Sequence, residues 1–103
     1  MAKPVTVTVS HELGREGARS RIDGGIDRMM GSIAGGMLTF NKTWNADRML
    51  FDARAMGQAV TGHVDVADDH VTIEVKLPLL LAGMAEKLAG RIKTDGTLLL
   101  EKK

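Results

Sequence analysis

Apolar and polar residues alternate at the start of the chain, where Val5, Val7 and Val9 are separated by Thr6 and Thr8. A period of two in β-branched residues predicts a half-buried strand. Ser10 then stands where a helix N-cap belongs, with Glu12 and Glu16 near the positive end of the helix dipole. From about Leu13 to Ile33 the spacing changes: Ala18, Ile22, Ile26, Met29, Met30 and Ile33 recur at helical intervals. Arg15, Arg19, Asp23 and Asp27 step by four along another face, where Arg19 and Asp23 form a weak supporting pair. Seven of the 12 glycines fall between residues 14 and 36. Gly24 and Gly25, in the middle of the helix, each cost about 1 kcal/mol relative to Ala, so packing and not propensity must hold it. Gly35-Gly36 is the expected stop.

Period two then returns. Leu38, Phe40 and Trp44 share one face of a strand over 37–44, a register that also places Lys42 on the apolar side, its stem packed and its ammonium reaching water. Asn45-Ala46-Asp47 is a turn. Met49, Phe51 and Ala53 alternate with Leu50, Asp52 and Arg54, and Met56-Gly57-Gln58 turns again. Val60, Gly62, Val64 and Val66 are followed by the Asp68-Asp69 turn and by Val71, Ile73, Val75 and Leu77. These two runs carry the strongest hairpin signal in the chain. Pro78 ends the last strand or opens the next helix. Leu81, Met84, Ala85, Leu88, Ala89 and Ile92 form the stripe of that helix, and Asp95-Gly96 interrupts it. Thr97 to Leu100 then resumes a helix or docks as an extended tail.

The order is β-α-β-β-β-β-α, an α+β fold. A four-strand antiparallel meander with one apolar face needs a cover, and two amphipathic helices supply it. The first strand can rejoin the sheet beside the last one. That gives a five-stranded antiparallel sheet of order 1-5-4-3-2 with both helices on one face, a topology like the TATA-binding-protein-like or truncated helix-grip arrangement. Topology alone does not transfer function.

With 103 residues the chain has the length of one domain, residues 1–103, and it is nearly electroneutral at +1. The balance conceals an acidic segment over 44–76 between two mildly basic ones. The absence of Cys excludes disulfides, thiolate metal sites and a Cys nucleophile. No apolar run approaches the roughly 20 residues of a membrane span, and the start lacks a secretory core, so a cytoplasmic location is the expectation.

Chemistry is sparse. A metal site built from His63, Asp65 and His70 is disfavoured by a hairpin that sets His63 opposite Glu74 and leaves His70 near the turn. Ser10, Ser20 and Ser32 have no nucleophile setting. Asp68 and Asp69 are solvated turn formers, and the glycines at 31–36 follow a helix instead of preceding one. Arg15, Arg19, Arg21 and Arg28 share their helix with Asp23 and Asp27, while Asp52, Asp65 and Glu74 occupy the open sheet face, the wrong sign for nucleic acid. The expectation is a protein without catalytic residues, metal or cofactor. Contact residues are sought instead among surplus apolar side chains. A helix stripe cannot bury three consecutive leucines, which singles out Leu79 and Leu80, and Leu98 and Leu99; Met56 sits at a turn. An exposed edge strand over 37–44 would permit a homodimer.

The stretch from Arg54 through Gly62-His-Val-Asp-Val-Ala-Asp-Asp-His-Val71 to Ala82 resembles the polyhydroxyalkanoic acid system family, also described as polyhydroxyalkanoate granule-region proteins. Ser10-His-Glu-Leu-Gly14 before the helix and Leu98-Leu-Leu-Glu-Lys-Lys103 at the end extend the resemblance over essentially the whole chain. It implies a small, bacterial, cytoplasmic protein linked to storage-polyester granules, with no established catalytic residues. The resulting expectation is a non-enzymatic accessory or regulatory protein of polyhydroxyalkanoate metabolism. Its partner would be a granule surface or a granule-associated protein. The alternative is a carrier of a small apolar ligand in a cavity between sheet and helix.

Overall fold

The computed structural model describes residues 3–33, 38–55 and 57–101. Its elements are β1 (Lys3–Ser10), α1 (Gly14–Ile33), β2 (Leu38–Asn45), β3 (Arg48–Ala55), β4 (Gln58–Val66), β5 (His70–Leu77), a short 3-10 segment (Leu79–Met84) and α2 (Ala85–Leu99). The sheet is antiparallel with strand order β1-β5-β4-β3-β2, as the sequence predicts.

Register explains why only one face is apolar. Val7, Ile73, Val64, Met49 and Trp44 form one cross-strand row, and Val5, Val75, Gly62, Phe51 and Lys42 form the next. The aliphatic members of both rows are buried beneath the helices. α2 lies along β1 and α1 beside it, toward β4 and β2. Ile22, Ile26, Met49, Ile73 and Ile92 are fully buried where the layers meet. Phe51 stacks on Phe40 with ring centroids 5.3 Å apart and also covers Gly62, its partner on β4. A Cβ at Gly62 would approach the Phe51 ring to 2.6 Å and the Glu74 carbonyl oxygen more closely still. Glycine is required there because an aromatic ring occupies the position of its side chain.

Glycines also set the helix contacts. Gly25 of α1 receives the Leu99 side chain of α2, and Gly96 of α2 is buried against Val9 and Ile73. Asp95-Gly96 therefore does not interrupt α2, which runs unbroken to Leu99 because Gly96 is a point of close approach to the sheet. Gly24, by contrast, has open space where a Cβ would be.

Two further expectations change. Ser10 is the last residue of β1, opposite His70, and does not cap α1. The buried His11 ring braces the turn between them: Nδ1 accepts the Leu13 N–H at 3.2 Å, while Nε2 donates to the Ala67 carbonyl at 3.1 Å. One side chain thus ties the approach to α1 to the β4–β5 turn. Met84 is 48% exposed and does not join the apolar stripe, because it ends the 3-10 segment just before α2 turns regular. Gly35-Gly36 and Met37 lie outside the described residues.

Gly24→Ala should raise stability by about 0.5–1 kcal/mol, since it replaces an exposed helical glycine without a clash. Gly62→Ala should lower it by about 1–3 kcal/mol through overpacking against Phe51 and the β5 backbone. Urea midpoints read both, and a stable Gly62→Ala would contradict the packing described.

Candidate functional site

Three surfaces concentrate side chains that the core does not use. The first is a groove of about 380 Å³ between α1 and α2, lined by Gly25, Arg28, Met29, Asp95, Leu98 and Leu99. The leucines at the end of α2 divide by helical geometry. Leu100 is buried, Leu99 packs over Gly25, and Leu98 is turned outward with 62% of its surface exposed. Arg28 and Asp95 give the groove's rim one charge of each sign.

The end of α2 that forms this groove is held from α1. The Arg21 guanidinium donates from Nη1 to the Leu99 carbonyl at 3.1 Å and to the Glu101 carbonyl at 2.9 Å. α2 has no basic residue in its own last turn, so Arg21 satisfies carbonyls that a helix end leaves without partners.

The second surface lies where α1 meets β2. The Trp44 indole Nε1–H donates to Asp23 Oδ1 at 2.8 Å, and the Arg19 guanidinium sits 4.5 Å from the Trp44 ring centre. Lys42 Nζ reaches Asp27 Oδ1 at 3.0 Å and Asp23 Oδ1 at 3.4 Å. The lysine on the apolar side of β2 therefore binds two carboxylates of α1 instead of ending in water. Asp23 serves Trp44 and Lys42, and Arg19 is on the indole, so both members of the weak Arg19–Asp23 helix pair also make contacts to β2. The indole hydrogen bond, with the Lys42 and Arg19 charges, holds the Asp23 carboxyl below its ordinary pKa against some desolvation. Partial desolvation opposes the Lys42 charge, but Asp27 and Asp23 outweigh it and raise its pKa. A depression of about 230 Å³ adjoins the indole, lined by Glu16, Arg19, Ser20, Asp23 and Trp44.

The third surface is the open face of the sheet. Arg48 makes two bonds to Asp65 across β3–β4, Nε at 2.6 Å and Nη2 at 3.0 Å. His63 Nε2 lies 3.2 Å from Glu74 Oε2 and 3.5 Å from Asp65 Oδ2. His63 does face Glu74, as the hairpin register requires. His70 is bound by Asp69 at 2.7 Å instead of converging on His63. Among the described residues no group of three or more His, Asp or Glu side chains is arranged to hold a metal ion. Leu50, 46% exposed, is the large apolar side chain on this face.

Of the contact residues expected from sequence, Leu98 and Leu99 line the helix groove. Met56 lies outside the described residues, as do the side chains of Leu79 and Leu80. Sequence reasoning missed Gly25, Arg28, Met29 and Asp95 as their companions. The signal was present in Gly25 and Gly96, since glycine inside a helix marks close approach. Three of the four helix arginines are engaged in contacts between elements. Besides Arg19 and Arg21, Arg15 bridges Asp47 at 3.1 Å and Asp68 at 3.2 Å, joining α1 to two sheet turns.

These features define a two-layer α+β protein whose apolar surface lies between its helices and whose open sheet face is polar. The chain belongs to the polyhydroxyalkanoic acid system family: the family model described as "Putative polyhydroxyalkanoic acid system protein" matches residues 5–98. No curated protein and no solved structure matches the chain. The likeness to TATA-binding-protein-like and helix-grip folds accordingly rests on strand order alone. Among the described residues no helix is long and apolar enough to cross a membrane.

Because Asp23 has a lowered folded pKa, its bond to Trp44 contributes stability above the ordinary Asp pKa and loses it as pH falls through the folded value. Trp44 is the sole tryptophan and there is no tyrosine. Its emission should therefore shift on acidification below about pH 4, and Asp23→Asn should remove that step. Fluorescence titration with parallel circular dichroism separates this local step from acid unfolding.

Proposed function

We propose that the protein is a non-enzymatic accessory or regulatory component of polyhydroxyalkanoate storage metabolism, acting by binding a granule surface or a granule-associated protein. The family supplies the polyester context. The observation that carries the binding mode is the α1–α2 groove, where Leu98 stands exposed beside Leu99 and Met29. A hydrophobic polyester surface attracts such a site by burial of apolar area, at roughly 25 cal/mol per Å². The open sheet face is a poorer candidate, because it is lined by charged and polar side chains, among them the Arg48–Asp65 and His63–Glu74 pairs. The layer between sheet and helices is filled by its own side chains, which favours surface contact over carriage of a ligand inside.

Co-sedimentation with polyhydroxyalkanoate particles tests this reading. Wild-type protein should bind, and Leu98→Asp should reduce binding roughly tenfold, the worth of one leucine side chain withdrawn from an apolar contact. Leu50→Asp, on the opposite face, should bind as wild type does. Equal loss in both variants would remove the groove from consideration. Folded wild-type protein that stays in the supernatant would overturn the surface-binding form, leaving a granule-associated protein to be sought by affinity isolation.

A further inference from the structure

The two edges of the sheet are built differently. The Val66 N–H donates to the Asp47 carbonyl, which fixes the alternation of the β3–β4 ladder: odd-numbered residues of β3 bond to β4 and even-numbered ones to β2. Their partners Thr39, Asn41, Thr43 and Asn45 therefore turn their backbone groups inward. The N–H and C=O groups of Leu38, Phe40, Lys42 and Trp44 point away from the sheet. The same alternation, carried through β4 and β5, turns Pro4, Thr6 and Thr8 outward on β1.

The β1 edge is guarded. Pro4 has no N–H to offer, the Thr8 carbonyl accepts Lys93 Nζ of α2, and α2 lies along the strand. On β2 the side chain that would ordinarily guard an edge, Lys42, is drawn inward to Asp23 and Asp27. Among the described residues nothing bonds to the outward backbone groups of β2. The strand has eight residues, and its described backbone contains neither proline nor bulge.

We propose that β2 joins two copies of this chain, edge to edge and antiparallel, about a two-fold axis at Asn41. A second copy fits for reasons of register and charge. With the axis at Asn41, Leu38 pairs with the partner's Trp44 and Phe40 with the partner's Lys42. The outward groups of all four positions then meet, giving about eight backbone hydrogen bonds. On the open face Thr39 meets the partner's Thr43, a favourable cross-strand pair, and Asn41 meets its own counterpart. An axis at Phe40 or Lys42 would match only three of the four outward positions within the strand, so the length of β2 selects the register. The two α1 helices also approach without net repulsion, because Asp23 and Asp27 are balanced by Lys42 and Arg19. This proposal does not depend on the granule reading.

The chain has no cysteine, so Asn41→Cys introduces a single thiol. At a non-hydrogen-bonded antiparallel pair the two Cα atoms stand about 4.5 Å apart, within disulfide range. Mild oxidation should crosslink Asn41→Cys on the order of tenfold or more faster than Thr6→Cys on the guarded edge. Mixing Thr39→Cys with Thr43→Cys should give a mixed disulfide by the same register, which keeps the test independent of the Asn41 side chain. Sedimentation equilibrium of wild-type protein should report a dimer. A monomeric mass at the concentrations used for crosslinking overturns the proposal, as does a dimer whose Asn41→Cys reacts no faster than Thr6→Cys.

Discussion

Valine and isoleucine side chains of β1, β4 and β5 stand directly opposite one another on a single face of the sheet, and every other feature answers the need to cover them. Five strands present more apolar width than one helix can hide, so two helices must lie side by side. They do so closely because glycine occurs where they touch: Gly25 admits Leu99, and Gly96 lets α2 settle on Val9 and Ile73. Leu98, one position before the leucine that Gly25 admits, is thereby turned outward beside the groove. The apolar surface between the helices is thus a consequence of how the core was closed.

Much of this arrangement was legible in the sequence. The alternation of Val5, Val7 and Val9, the hairpin of Val60–Val66 and Val71–Leu77, and the stripe of α1 each report a local period, and local periods survive folding. Strand order followed because the first strand had one consistent place to go. What escaped reading depends on distant contacts. Asp95-Gly96 looks like a break in the chain's own periodicity and becomes a contact only against β1. Ser10 has a capping side chain, but pairing with β5 holds it in the strand, four residues short of the helix start. Leu98 and Leu99 were visible as surplus leucines; their neighbours Arg28 and Met29 were not, because nothing in α1 announces which flank faces α2.

Charge follows the same logic. Several of the charged side chains are spent on specific contacts between elements. Arg15 gathers the β2–β3 and β4–β5 turns, Arg21 closes the end of α2, and Lys42 with Asp23 and Asp27 fastens α1 to the edge strand. Exposed pairs of this kind contribute little stability singly, but they fix which surfaces meet. They also leave few free cations on α1, which is why a helix with four arginines does not present a basic face.

The pairing of β1 with β5 has a consequence for how the chain is made. β1 and β5 are the first and last strands, separated by about 60 residues, so β1 finds its place only after β5 has been synthesised. Until then the meander is incomplete, and the valines of β1 and the apolar stripe of α1 lack part of the surface that will bury them. Contacts so distant in sequence are slow to form, and the interval exposes aliphatic surface and strand edges to other chains. The feature that closes the fold also sets its period of greatest vulnerability, which ends when the last strand receives the first.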